Sequence, residues 1–533
     1  VDLKKAFDSV WRLGLLYKLI KTDNMRPKLY KVLKNMYECT EASVKYKENI
    51  SDSVFIDRGL KQGDSLSPNL FNIYINDLPE IFDSDCKPVN LNNMSLSCLM
   101  FADDLLLLSE SAEGLQKSLE KLSNYCKKWQ LSININKTKV IVFQQKNIPY
   151  TKAEFTLDGY KLEKVLKYKY LGNIIEASGK FHTSHMELSK KGTKVLFSLF
   201  KYMNNIENIP INIHKKLFES LIKPILMYNS EIWYMDYYEK ILRSQSRAIN
   251  NHKDFDLLTS IDNSFIEKVN LKFCKLILGL SKKAVNIASR AELGQYPIDV
   301  YVKVQALKYM ARVSNTEINP LLYDAYCTAK LLDETGTYSW YTFVKNITHE
   351  NNLNISDIQN IDFIKEKYKM NKHMKEIMQE NYKKLFFKKL NSLTENNKLF
   401  IYSKIKKKYE TEPYLLKENN FEIRKKFTKL RVSDHILEIE RGRYKNIKRE
   451  ERLCQHCCLN KIDDEEHFLF TCTKNKDLRF EFLQKVRNIY SDIDNMDNLD
   501  KLVLCLSCPS IMQYAASFVK KSWSLRRVDS TTA

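Results

Sequence analysis

Phe101-Ala102-Asp103-Asp104 lies between an apolar stretch that ends at Met100 and the run Leu105–Leu108. The pattern predicts strand, acidic tip, strand. Two adjacent carboxylates on an apolar hairpin repel and raise each other's pKa. A site that keeps both ionised holds a divalent cation, and a hard cation such as Mg2+ takes oxygen ligands. A third carboxylate is then expected from elsewhere in the chain. Asp2, in Val1-Asp2-Leu3-Lys4-Lys5-Ala6-Phe7-Asp8, is the candidate.

Working outward, residues up to about 171 mix strand and helix signals. Val1–Phe7 reads as a strand. Leu29, Val32, Leu33, Met36 and Tyr37 make a helical stripe within 26–39. Ser67-Pro68 opens another helix, with Ser67 as its cap. A third helix spans 112–129. Residues 139–143 and 155–157 read as strands and Asp158-Gly159 as a hairpin turn; residues 168–175 close the region. Strands that carry acids, with helices between them, predict an α+β domain.

Beyond residue 184 the pattern becomes helical, with Leu217, Leu221, Ile225 and Tyr228 and then Phe265, Val269, Phe273 and Leu276 at helical spacing. Residues 333–409 are rich in Lys and Asn. At 533 residues the chain is too long for one core. Its 44% hydrophobic and 28% charged residues are those of a folded protein. The formal charge of +21 points to a polyanion, nucleic acid first. An AT-rich coding sequence would also favour Lys, Asn, Ile and Tyr. No apolar stretch reaches the ~18–20 residues that span a bilayer, so no membrane partner is expected.

A second constellation is Cys454, Cys457, His467 and Cys472. Zn2+ prefers tetrahedral sulfur and nitrogen ligands, and a closed set of four indicates a structural site. Cys458 and His456 leave the first pair open. Cys505 and Cys508 read as core packing. Arg441, Arg443, Lys445, Lys448, Arg449 and Arg452, with Tyr444 among them, suit phosphate contact and base stacking, or else a solvated face.

Taken together, Asp2–Asp8, the run Gly59-Leu60-Lys61-Gln62-Gly63-Asp64-Ser65-Leu66-Ser67-Pro68, and Phe101–Asp104 resemble successive reverse-transcriptase palm motifs. Asn136-Lys137-Thr138 and Tyr170-Leu171-Gly172 resemble the two that follow. The flavour is that of non-LTR (LINE-type) retrotransposons. Pro224–Tyr228 with Glu231 and Trp233, and Glu292-Leu293-Gly294, resemble the thumb regions of these elements. The C-terminal Cys/His set has the look of their zinc module.

The resemblance implies a right-hand polymerase palm over 1–180 and a helical thumb and post-thumb over 181–310. A helical region over 311–440 and a zinc module over 441–533 would follow. It implies an RNA-directed DNA polymerase that extends a DNA primer on an RNA template with deoxynucleoside triphosphates, in the nucleus after synthesis in the cytoplasm. Asp2, Asp103 and Asp104 would bind two Mg2+ ions, one at the primer 3′-hydroxyl and one at the triphosphate. Phe7 would lie beneath the incoming sugar and exclude a 2′-hydroxyl; an ordinary core phenylalanine is the competing reading. Gln62 and Gly63 would lie at the nascent base pair. Lys137 would be a general acid for pyrophosphate, or a solvated lysine. Tyr170, Leu171 and Gly172 would form a primer-facing strand. In the family a fingers region precedes the first Asp motif. The chain as it stands is therefore expected to have little or no polymerase activity. A truncated remnant that only binds nucleic acid is the alternative.

Overall fold

The computed structural model describes residues 1–21, 25–144, 151–203, 206, 208–314, 319–360 and 363–528. It divides into two compact units, Val1–Lys180 with Thr316–Thr337, and Phe181–Asn315 with Tyr338–Ala533.

The first unit mixes helices with short strand pairs. Its helices are α1 (Arg12–Lys21), α2 (Pro27–Glu38), α3 (Ser67–Ile75) and α4 (Ala112–Lys128). Ser111 caps α4 by accepting from Gly114 N–H, and Lys127 and Lys128 sit in its last turn, where cations oppose the helix dipole. Leu15, Phe71, Tyr74, Leu105 and Leu122 meet in one core. Most strand pairs are antiparallel; Lys139–Val140 and Glu163–Lys164 pair in parallel. The separate helix Pro320–Glu334 joins this unit, where Thr328 Oγ1 accepts from Asn92 N–H at 3.0 Å.

Several local expectations need correction. Val1–Phe7 is not a full strand: only Asp2 and Leu3 form bridges, and a turn follows in which Ser9 N–H donates to Lys5 O at 2.9 Å. Ser67 does not cap α3. It is the first helical residue, and its hydroxyl donates inward to Lys61 O at 2.6 Å. In α2 only Leu33 and Tyr37 of the expected stripe are buried. The strand read over 139–143 is paired only at Lys139–Val140. Tyr170-Leu171-Gly172 is not one strand but a strand end and a turn. Lys167–Tyr170 pairs with Asn173–Glu176 around a turn at Leu171 (φ 44°) and Gly172 (φ 84°).

Asp158-Gly159 does form the tight turn of the Thr156–Leu157 and Tyr160–Lys161 pair, with both φ values positive. Gly59 is required for a different reason. At φ 84° an added Cβ would lie 2.7 Å from Asp8 O and 2.9 Å from Asp8 Cα.

The second unit is helical. Its helix α5 (His182–Met203) packs on Phe265–Leu278, which ends at Gly279 in the left-handed region. Buried ion pairs cross it. Arg431 meets Glu292 at 2.9 Å and Glu412 at 2.8 Å, and Arg290 meets Asp262 and, at 2.8 Å, Glu267. Among the described residues no single helix is long and apolar enough to cross a membrane.

Replacing Gly59 with Ala should destabilise the chain by about 1–3 kcal/mol, since both the left-handed backbone and the Asp8 contact oppose a Cβ. Gly179→Ala, at φ 69° with open space around it, carries only the conformational part and should cost less. Chemical denaturation of both variants gives the comparison.

Candidate active site and metal centre

The acidic tip is built by register. Strands Cys98–Phe101 and Asp104–Leu107 are antiparallel, with Phe101 opposite Asp104. Ala102, at φ 53°, lies in the left-handed region that a side chain disfavours. Asp103 and Asp104 are both exposed.

Asp2 comes alongside through an antiparallel bridge to Asp104. Its segment is held on the other side by Asn134 N–H to Asp2 O at 2.8 Å and Lys4 N–H to Ser132 O at 2.7 Å. The buried Thr138 hydroxyl accepts from Asp2 N–H at 3.3 Å. The Asp2 and Asp104 backbones are thus neighbours, and Asp103 sits one residue away on the turn. The ligand oxygens of the three carboxylates do not all lie within 4.8 Å of one another.

The other expected site residues take these places. Lys137 Nζ lies 3.8 Å from Asp2 Oδ2 on a side chain that is 69% exposed. Phe7 is half-buried and stacks on Phe71 at 4.7 Å between ring centroids. Gln62 Nε2 donates to Asp8 Oδ1 at 2.8 Å, which ties the second motif to the first. Gly63, at φ 85°, has nothing within 4 Å of an added Cβ, so the space above it is open. Tyr170 is on a strand, whereas Leu171 and Gly172 are the hairpin turn.

Tyr168 and Tyr170 approach the acids closely enough to feel their charge. Burial, then Asp2 and Asp104, raises the Tyr168 phenol; burial, then Asp104, raises that of Tyr170. Both rings line a largely apolar cavity of about 290 Å³ behind Asp104. The sequence reading gave no site role to Tyr168, or to Thr138 within its Asn136-Lys137-Thr138 motif. Thr138 follows Lys137 directly, and Tyr168 alternates with Tyr170 on one strand face, so period-two counting could have found it.

In the second unit the Cys/His set does converge. Ligand atoms of Cys454, Cys457, His467 and Cys472 all lie within 4.8 Å of one another. Cys454 Sγ and Cys472 Sγ are 4.0 Å apart, near the edge of about 3.8 Å that two 2.3 Å Zn–S bonds make in a tetrahedron. Cys457 Sγ is 3.3 Å from His467 Nε2. His467 Nδ1 lies 2.8 Å from Thr471 Oγ1, which leaves Nε2 to face the sulfurs.

Cys458 is exposed and lies outside this set. The first two cysteines lie on a tight loop closed by Cys454 N–H to Lys461 O at 2.9 Å. His467 lies in a π-helical turn, and Cys472 follows it.

The outer contacts were not visible in the sequence. Arg526 Nη2 lies 3.2 Å from Cys472 Sγ and 3.8 Å from Cys454 Sγ, while its Nη1 pairs with Asp463 at 2.9 Å. The Cys472 thiol is held well below its ordinary value by the hydrogen bond with Cys454, then by His467 and Arg526. Arg452 of the expected basic face turns inward instead and donates to Ile447 O and Ile439 O.

Residues 1–175 match the reverse transcriptase (RNA-dependent DNA polymerase) family. Over this stretch the chain is similar to RNA-directed DNA polymerases of mobile elements. It is 26% identical over 240 residues to the RNA-directed DNA polymerase from mobile element jockey of Drosophila funebris, 44% of this chain and 25% of that protein. It is 27% identical over 260 residues to a probable RNA-directed DNA polymerase from transposon BS of Drosophila melanogaster, 47% of this chain and 28% of the relative. A polyprotein from the type-1 retrotransposable element R2 of Popillia japonica is 24% identical over 240 residues, 43% and 37% of the two chains. The chain therefore spans well under half the length of these relatives.

Because Asp104 raises the Tyr170 phenol, Asp104→Asn should lower its pKa. It should still remain above the ordinary value, because burial persists. NMR titration of ring-labelled tyrosine reads this directly, and an unmoved Tyr170 would contradict the placement.

Proposed function

We propose that the first unit is the polymerase palm of an RNA-directed DNA polymerase, which extends a DNA primer on an element's RNA. The observation that carries this is the Asp2–Asp104 bridge beneath the Asp103 turn. It gathers three carboxylates from segments far apart in sequence onto one edge. Their oxygen donors suit Mg2+, and Asp2, Asp103 and Asp104 are the residues that would hold it. Bound there, divalent cations supply neutralisation of the charge that builds on the transferring phosphoryl group.

The chain's own groups set the remaining conditions. Open space over Gly63 admits a base pair against the backbone, and Gln62, anchored on Asp8, frames that opening. Phe7, fixed by its stack on Phe71, presents a rigid edge that would exclude a 2′-hydroxyl. Lys137, beside Asp2, can donate a proton towards the leaving pyrophosphate. The Tyr170 hairpin forms the wall nearest the acids, where a primer terminus would rest. Copying onto a DNA target places the work in the nucleus. The helices that follow act as the thumb.

Asp104→Ala should lower primer extension on homopolymer RNA by roughly 10³-fold, about 4 kcal/mol of transition-state stabilisation. RNA affinity should stay within about twofold, because an exposed carboxylate adds nothing to phosphate binding. The assay is run on the chain alone and joined to any coding sequence that precedes Val1. Extension by the variant at the parental rate would refute the assignment.

The second part of the proposal is structural zinc on Cys454, Cys457, His467 and Cys472, supported by the sulfur spacing and the orientation of His467. Three thiolates and one imidazole leave a net negative charge, which the Arg526 guanidinium offsets. Cys472→Ser should abolish stoichiometric zinc. Arg526→Gln and Thr471→Val should each weaken zinc binding about 10–100-fold. Chelator competition followed by metal analysis measures all three.

A further inference from the structure

Five arginines are buried among the described residues: Arg12, Arg290, Arg424, Arg431 and Arg526. A buried guanidinium without partners is costly, so each needs an account. Arg12 donates to three carbonyls, those of Gly59, Tyr37 and Ile56. Arg290, Arg431 and Arg526 each pair with carboxylates.

Arg424 is different. It is 4% exposed, yet its one hydrogen bond runs from Nη1 to Glu418 O at 3.3 Å, and its buried Nε has no partner. No carboxylate among the described residues forms an ion pair with it. Burial accordingly pulls its pKa below the ordinary guanidinium value, with Glu418 and Tyr414 opposing.

The side chain lines a cavity of about 520 Å³ in the second unit, within the range of about 300–1,000 Å³ typical of small-molecule sites. Phe200, Met203, Leu276, Ile277 and Phe421 give it an apolar wall. His214 also lines it. Its Nδ1 donates to Pro210 O at 3.0 Å, so Nε2 is left for another contact. The helix Phe421–Arg431 begins at the cavity, where its first N–H groups favour an anion. Asn420 caps that helix by accepting from Ile423 N–H. Glu422, on the same rim, is engaged by Lys425 at 3.1 Å. The site therefore joins an unpaired cation, a histidine and a helix start to an apolar wall with two phenylalanine rings.

We propose that this cavity binds a nucleoside monophosphate, free or at the 5′ end of a strand. The phosphate sits on Arg424 and the base lies against the Phe200 and Phe421 side. The phosphate supplies the counter-charge that the fold does not. The site belongs to the second unit and does not depend on the palm chemistry.

Calorimetric titration of the full chain with adenosine 5′-monophosphate should show saturable binding at constant ionic strength. Inorganic phosphate should bind more weakly, for want of a ring. A 5′-phosphorylated tetranucleotide against its 5′-hydroxyl form distinguishes a strand end from a free nucleotide. In Arg424→Gln the dissociation constant should rise about tenfold or more, while the ligand-free melting temperature holds or increases, because an unpaired buried charge is gone. Hydrogen exchange on the unmodified chain serves if the variant does not fold: the nucleotide should protect the first turn of Phe421–Arg431. No saturable binding, equal affinity in the variant, or an unprotected first turn would each overturn the proposal.

Discussion

Alternation along two short strands constrains the acidic site. Leu3 and Leu105 are buried, and each follows directly on an acid, Asp2 and Asp104. Neighbouring residues on a strand point to opposite faces. The pairing that buries the two leucines therefore brings the two acids together on the other face. A slip of one residue would bury both carboxylates and expose both leucines. The apolar core below fixes the arrangement of charges above it. The repulsion between the acids is opposed by Leu3, Ala6, Val10, Leu105 and Leu131 packing under them.

That constraint also explains why the tip was readable in the sequence and its surroundings only in part. Two acids inside an apolar run have few solutions other than a hairpin tip. Helices α2, α3 and α4 follow from apolar spacing, and Asp158-Gly159 from its turn chemistry. The expected strand Val1–Phe7 stops after Leu3 because the backbone turns there; Lys5 takes φ 47° and its carbonyl accepts from Ser9 N–H. Tyr170-Leu171-Gly172 looks continuous with strand residues on either side, and only the left-handed pair at 171 and 172 breaks it. Ser67 has the chemistry of a cap, but Asp64 takes the Leu66 N–H at 3.0 Å and turns the chain one residue earlier.

The Cys/His spacing was legible for the same reason as the acids: ligand geometry restricts sequence. Its outer partner was not. Arg526 lies 54 residues beyond Cys472 in an ordinary helical stretch, and nothing local marks it. No spacing in the sequence links Arg431 to Glu292 or Arg290 to Glu267 as buried pairs. Residue type predicts exposure on average, but a partner more than a hundred positions away, as Arg431 is from Glu292, leaves no periodic trace.

The sites of the two units use charge differently, although the first also buries Lys18 against Asp77. The first displays like charges at its surface, where a cation can join them. The second buries opposite charges and matches them closely. Glu267, pushed up to about 7 by burial despite Arg290, shows how finely one such match is balanced. Against that background an unmatched buried charge carries information. A chain that pairs Arg290, Arg431 and Arg526 with carboxylates, and gives Arg12 three carbonyls, has the means to pair Arg424 as well. It leaves that guanidinium facing a cavity instead, and a negative group that enters from outside gives it the counter-charge that Arg290, Arg431 and Arg526 already have.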